Sequence, residues 1–311
     1  MGKRILITGG SGFIGSRLVS AWRLVGHDIA VLTRQPARVR QRWPGVTAVD
    51  SLEELEGKFD WLVNLAGEGI ADQRWTEERK AVLRASRIAL TDELVQWATR
   101  SRQQFEVVLS GSAIGYYGAG HGSAAEHWLD EHSESGRDFA ARLCRDWEAA
   151  IQPLSAHCQR LIVVRTGVVL GTDGGMMKRL WLPFRMGMGG QIGDGSQYLS
   201  WIHMDDYCRA VHALLDGSLP LSGAVNLTAP EPVTNAAFTH SLAAAVGRPA
   251  LLPMPTPMVK LLFGEMSTLL LDGQRVAPLA LQDAGFEWRF RHIDVALGNL
   301  VLERQQDLHA A

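Results

Sequence analysis

The sequence has only three cysteines, Cys144, Cys158 and Cys208, at spacings that match neither a C-x-x-C pair nor a zinc ligand set. That excludes a disulfide framework and points to reduced thiols in a cytosolic setting. Lysine is scarce too, supplying five of the 31 basic residues, at positions 3, 58, 80, 178 and 260. Net charge is −2, so no chain-wide positive field exists to hold nucleic acid or an anionic membrane. Long apolar runs are also missing. The first, from Ile5 to Thr8, is too short for a signal-peptide core. The late stretch "LLPMPTPMVKLLFGEMSTLLL" is interrupted by Pro253, Pro255, Pro257, Lys260 and Glu265, which excludes a membrane span. The expectation is a cytoplasmic chain with a small-molecule substrate, no nucleic-acid partner and no membrane partner.

What the sequence does have is a regular alternation of short β-branched runs and longer helical ones. "RILIT", "DIAVLT", "VTAV", "DWLVN", "FEVVLSGS" and "RLIVVRT" read as strands. Between them lie helical stretches, one from Gly12 to about Val25 and a long one from about Thr76 to Arg100. This pattern predicts an α/β fold with a doubly wound parallel sheet. After Gly171 the character changes, with Gly187, Gly189, Gly190, Gly193 and Gly195 close together and most prolines from Pro230 onward. The expected division is a nucleotide-binding domain over 1–170, with a return segment at about 198–228. Residues 171–197 and 229–311 then form a small C-terminal lobe.

"TGGSGFIG" sets Gly9, Gly12 and Gly15 directly after the first strand and at the start of a helix. Glycines there allow a tight turn, close approach of a pyrophosphate to the backbone, and helix–strand contact, while the first N–H groups of the helix face the anion. The motif predicts dinucleotide binding. The end of the second strand selects between cofactors. An acidic residue there would accept hydrogen bonds from the ribose of NAD, whereas this chain has Thr33 and Arg34. A charge-assisted bond from Arg34 to a 2′-phosphate contributes about 1.5–3 kcal/mol, a preference for NADP(H) of about tenfold to a hundredfold. Arg38 on the following helix is a second candidate for the same phosphate.

Further motifs follow in order: "VNLAG" (Val63 to Gly67), "SGSAIGYYG" (Ser110 to Gly118), "VVRTGVVLG" (Val163 to Gly171) and "WIHMDD" (Trp201 to Asp206). With them the chain resembles the extended short-chain dehydrogenases/reductases. "NLAGEGI", "DFAARLCRDWEAA", "LPFRMGMGGQIGDGSQ" and "LLLDGQRVAPLALQDAGF" narrow the resemblance to the atypical NADP-binding epimerase subfamily, the SDR39U1-like or YfcH-like epimerase family proteins. The resemblance spans nearly the whole chain. It implies a Rossmann domain with a small substrate lobe and names no substrate. It implies NADP(H) contacts from the glycine turn (Gly9, Ser11, Gly12, Phe13, Ile14 and Gly15) and from Thr33 and Arg34. It adds Leu65, Ala66 and Gly67 beyond the fourth strand, Arg87 on the long helix, and Val169 near the nicotinamide end.

In that superfamily a Tyr-x-x-x-Lys pair lies on one helix face, since residues i and i+4 are neighbours. The lysine lowers the tyrosine pKa and lets the phenol work as acid or base. The four tyrosines here, Tyr116, Tyr117, Tyr198 and Tyr207, are followed four residues later by Gly120, His121, Ile202 and Val211. The corresponding helix carries Phe139 and Leu143, which with Trp147 form an apolar i, i+4, i+8 stripe expected to pack into a core. Ser112 stands where the superfamily keeps its catalytic serine. Ser112 with Tyr117 is the expected catalytic pair, and Tyr117, without a lysine beside it, is expected to titrate near about 10. Glu148 reads as a solvated helix residue. His203, Asp205 and Asp206 read as a structural return to the sheet rather than an acid–base or metal cluster, and no metal is expected.

Two readings remain open. One is an NADP(H)-dependent oxidoreductase or epimerase acting on a small polar or sugar-like substrate. The other is a non-catalytic NADP(H)-binding protein with a regulatory or interaction role. The apolar stripe favours the second; Ser112 and the glycine-rich lobe segment favour the first.

Overall fold

The computed structural model describes residues 2–120 and 127–310. Its centre is a seven-stranded, wholly parallel sheet. Five strands come first in the chain: β1 (Arg4–Thr8), β2 (Asp28–Leu32), β3 (Thr47–Val49), β4 (Trp61–Asn64) and β5 (Phe105–Ala113). Two later strands, Cys158–Thr166 and Gly223–Leu227, complete it. The order runs from Gly223–Leu227 through Cys158–Thr166, β5, β4, β1 and β2 to β3. The order reverses at β1, so β1 lies between β2 and β4 and a crevice opens beyond its carboxyl end.

The strands read as continuous apolar runs because both faces are covered. Along β1, Ile5 and Ile7 point to one face, against Leu18, Val19 and Trp22 of α1 (Phe13–Leu24). Leu6 points to the other, the side of Leu94, Trp97 and Ala98. That period-2 split is what winds helices onto both sides. The stretch expected as one helix from residue 76 to 100 is interrupted. It comprises α2 (Glu77–Arg84) and α3 (Leu90–Arg100), joined by a wider π turn over Ala85–Ala89.

A separate core forms around the helix Gly175–Arg185. Met177, Trp181 and Phe184 from it meet Phe238 and Leu242 of Asn235–Val246, and Leu297 and Leu300 of the C-terminal helix Ile293–Ala310. The helix Met204–Asp216, by contrast, packs Tyr207, Val211 and Leu214 into the main sheet core. The three cysteines are free thiols. Among the described residues no helix is long and apolar enough to cross a membrane.

Candidate functional site

The glycine turn is built from backbone close approaches. Gly12 N–H donates to Gly9 O over 3.0 Å. Gly9 has φ +72°, and a Cβ there would lie 2.7 Å from Leu65 O. A Cβ on Gly15 would lie 2.2 Å from Gly9 O, so α1 reaches the turn only because this position has no side chain. No side chain caps the N-terminus of α1, whose opening N–H groups are left for an anion.

A groove of about 600 Å³ opens in front of this turn. Its walls include Gly9, Ser11 and Gly12, then Thr33 and Arg34 beyond β2, and Ala66, Gly67 and Glu68 beyond β4. Its volume is in the range of small-ligand sites. Phe13 and Ile14 do not line the groove; they are half-buried against the main core, with the Phe13 ring packed so that a Cβ on Gly174 would fall 2.3 Å from it. Thr33 Oγ1 accepts from Gln35 N–H, and Arg34 is 90% exposed while pairing with Glu68 at 2.9 Å.

The β4 end is held by a buried polar row. Leu65 N–H donates to Thr8 O, and Ala66 N–H to Thr8 Oγ1. Thr8 Oγ1 donates to Asn64 Oδ1 over 2.7 Å, and Asn64 Nδ2 donates to Thr91 Oγ1 over 2.9 Å. Arg87 lies in the π turn with Gly67 against its guanidinium; a Cβ on Gly67 would sit 2.9 Å from Arg87 Cζ. Its Nη2 donates to Glu68 O over 2.9 Å and its charge lies over the Trp147 ring. Burial pulls the Arg87 pKa down. Val169 lies on the short strand Val168–Leu170, 7% exposed and packed with the main core.

Ser112, Arg165 and Asn226 are register partners on three adjacent strands, so one row crosses their carboxyl ends. Ser112 Oγ donates to Glu148 Oε1 over 2.6 Å. Arg165 grips both oxygens of that carboxylate, Nε to Oε1 and Nη2 to Oε2, each at 3.0 Å. Its Nη1 donates to Tyr117 OH at 3.2 Å, and Tyr117 OH donates to Asn226 Oδ1 at 2.7 Å. The Arg165 guanidinium also covers the Tyr116 ring at 3.4 Å. Arg165 and Glu148 side chains are 6% and 13% exposed. Such burial is tolerated because every charge here is paired and hydrogen-bonded.

Two expectations, for Glu148 and for the titration of Tyr117, are corrected by this arrangement. Glu148 is not solvated; it is the buried carboxylate between Ser112 and Arg165. Ser112 and Tyr117, the expected catalytic pair, lie in one buried network and are linked through Glu148 and Arg165. Tyr117 does not titrate near its ordinary value, because burial pushes it up to about 12 against the opposing pull of Arg165. The apolar stripe on α4 (Phe139–Ile151) does pack: Phe139 and Leu143 join Trp75, Leu83 and Met266 in one cluster. His203 and Asp206 are structural. His203 Nδ1 caps the next helix by accepting from Asp205 N–H, and Asp206 accepts from the N–H groups of Arg289 and Phe290. No group of three or more metal-ligating side chains occurs among the described residues.

Sequence reasoning missed Glu148, Arg165, Asn64, Asn226 and Glu68. Arg165 carried a usable signal: a charge inside the apolar run "LIVVRT" of a strand buried on both faces requires a buried partner. Nothing local marked Glu148 as that partner.

The sequence pattern of the NAD dependent epimerase/dehydratase family matches residues 5–227, well over half of the chain. The chain belongs to that family. A domain of unknown function, DUF1731, matches residues 254–300 beyond it. Epimerase family protein SDR39U1 of Homo sapiens is 36% identical over 302 residues, spanning 96% of this chain and 99% of its own length. Epimerase family protein MT2273 of Mycobacterium tuberculosis (strain CDC 1551 / Oshkosh) is 39% identical over 297 residues, 94% and 96% of the two chains. The crystal structure of human SDR39U1 (isoform2) with NADPH superposes with a TM-score of 0.85 at 33% identity, covering 96% of this chain and 99% of that one. The UDP-glucose 4-epimerase of Thermus thermophilus, in complex with NAD, has a TM-score of 0.76 at 17% identity, covering 97% and 99%. At that identity the likeness concerns the fold, a Rossmann-like extended short-chain dehydrogenase/reductase architecture shared across the epimerase family.

Proposed function

We propose that this epimerase-family chain binds NADP(H) in the groove beyond β1, β2 and β4, and uses it as an oxidoreductase or epimerase on a small polar or sugar-like substrate. The observation that carries the cofactor reading is the turn itself, where Gly9 and Gly15 admit backbone contacts no side chain would permit, before an uncapped α1. Arg34 at the rim supplies the charge for a 2′-phosphate, and human SDR39U1 was crystallised with NADPH. Gly9, Ser11, Gly12, Phe13, Ile14 and Gly15 would hold the pyrophosphate side. Thr33 and Arg34 would hold the adenosine side, and Leu65, Ala66, Gly67, Arg87 and Val169 the remainder.

The bound cofactor would supply a hydride donor or acceptor. The chain's own contribution is the handling of a proton. Ser112 Oγ already directs its hydrogen to Glu148, which leaves its lone pairs as acceptors. A substrate hydroxyl gives its proton to Ser112 as Ser112 passes its own to Glu148. Arg165 fixes the carboxylate, and Tyr117 holds Arg165 rather than meeting the substrate. One observation favours the second reading, a cofactor-binding protein without turnover: the α4 face that carries Tyr and Lys in the wider superfamily is filled by Trp75, Phe139, Leu143 and Met266.

Calorimetric titration with NADPH and NADH tests the first part, and NADPH should bind at least several-fold more tightly. A panel of sugar nucleotides, small carbonyls and polyols, followed by NADPH absorbance and product chromatography, tests the second. Turnover should fall about a hundredfold in Ser112→Ala and in Glu148→Gln. Tight NADPH binding with no conversion of any compound would decide for the binding-protein reading.

A further inference from the structure

An ion pair joins two sides of the nucleotide groove. Arg34 follows β2 and Glu68 follows β4, and β1 with its glycine turn lies between those strands. Arg34 Nη1 and Glu68 Oε1 are 2.9 Å apart, and both residues line the groove. The two ends differ in how firmly they are attached. Arg34 is 90% exposed, whereas Glu68 is 27% exposed and anchored. Glu68 N–H donates to Ser86 Oγ at 3.0 Å, its carbonyl accepts from Arg87 Nη2, and Arg79 Nη1 stands 3.7 Å from Oε2. Arg79 is itself buried.

We infer that the Arg34–Glu68 pair is a latch across the groove, and that Glu68 is a specificity-determining residue acting through Arg34. The inference rests on the NADP(H) reading above. An exposed ion pair contributes little to stability, so Arg34 leaves Glu68 readily when a better anion arrives. A phosphate monoester near neutral pH is close to doubly charged and offers three acceptor oxygens, which makes it that better anion. Glu68 is not stranded by the exchange, because Arg79 remains beside it. The neutral 2′-hydroxyl of NAD(H) cannot take the carboxylate's place at Arg34. The latch therefore opens in return for a contact only when the 2′-phosphate is present, and Glu68 competes with that phosphate for one guanidinium.

The test is calorimetric titration of the full chain with NADPH and with NADH, for the wild type, Glu68→Gln, Arg34→Gln and the double variant. Glu68→Gln keeps the side-chain shape and both backbone bonds while removing the charge; Glu68→Ala serves as a second variant should the first fold poorly. Either change should widen the NADPH-over-NADH preference by about two- to five-fold, the range expected on freeing an exposed pair. In the Arg34→Gln background the same change should alter the preference less than about two-fold. An unchanged or narrowed preference in Glu68→Gln, with Arg34→Gln still abolishing it, would overturn the latch and leave the cofactor reading standing. Equal widening in both backgrounds would mean direct repulsion of the phosphate by Glu68, and would also overturn it. Failure of the wild type to bind either nucleotide would overturn both.

Discussion

The rings of Trp75 and Phe139 meet edge to face, with centroids 5.0 Å apart and planes inclined by 65°. Trp75 is set by its own indole N–H, which donates to Ile70 O over 2.9 Å, so the loop beyond β4 is folded down onto α4. Met266, from the C-terminal part of the chain, closes the same cluster. Two ion pairs run alongside, Lys80–Glu265 at 2.6 Å and Arg179–Asp72 at 2.8 Å. The contact thus joins the loop, α4 and the segment around Met266 at one point.

Phe139→Ala should cost about 3–5 kcal/mol, as truncations of buried aromatics do. Urea denaturation monitored by fluorescence and circular dichroism measures it. A loss below about 1 kcal/mol would show that this face of α4 is open to a ligand instead of packed.

Removing one partner of the Glu148–Arg165 pair leaves a buried charge without its counter-ion. Glu148→Ala should therefore destabilise by about 3–5 kcal/mol, and Glu148→Gln by less because its amide oxygen still accepts from Arg165. The double variant Glu148→Ala, Arg165→Ala should cost clearly less than the two single changes added together. Strict additivity in denaturation experiments would argue against the pairing.

Gly15→Ala tests the nucleotide turn without touching charge. Its Cβ would fall 2.2 Å from Gly9 O and 2.8 Å from Gly10 Cα, and both are backbone. The turn must move, and NADPH affinity should drop by more than about tenfold while far-ultraviolet circular dichroism stays native. Unchanged affinity would remove this turn from the binding site.

Tyr117 makes stability depend on alkaline pH. Its folded pKa, pushed up to about 12 by burial, lies above the ordinary tyrosine value of 10.0. The folded state holds the proton longer, so this contribution is fully present below pH 10 and is lost as pH rises through about 12. Tyr117→Phe should make the decline in stability over that window shallower, although it costs about 0.5–1.5 kcal/mol at neutral pH through lost hydrogen bonds. The difference between the two profiles separates Tyr117 from Tyr207, which burial also pushes up. Parallel profiles would contradict the buried hydroxyl.

Local signals were enough for the glycine turn. Gly9, Gly12 and Gly15 stand at fixed spacing after a strand; Gly15 meets Gly9 within the turn itself, and Gly9 meets Leu65 beyond the neighbouring strand β4. The strands of the sheet were legible for the same reason, because burial on both faces writes itself as unbroken apolar runs. The π turn at Ala85–Ala89 was not, since it inserts one residue into a helix whose amphipathic pattern continues on either side. Glu68 carries no local signal of its own within "NLAGEGI"; its partners Arg34, Arg79 and Arg87 come from three other places in the chain.

The sequence by itself determined the alternation of strands and helices, the glycine turn, Arg34 at the end of β2, and Phe139 and Leu143 on one helix face. Each follows from interactions of short range, where spacing along the chain is spacing in space. Only the tertiary structure decided that Glu148 is buried between Ser112 and Arg165 and that Tyr117 is committed to Asn226. It alone also set Glu68 across the groove from Arg34. Those relationships join residues 17 to 109 positions apart, and buried polar groups find partners wherever the packed strands bring them, a choice governed by sheet order and register rather than by neighbours in sequence.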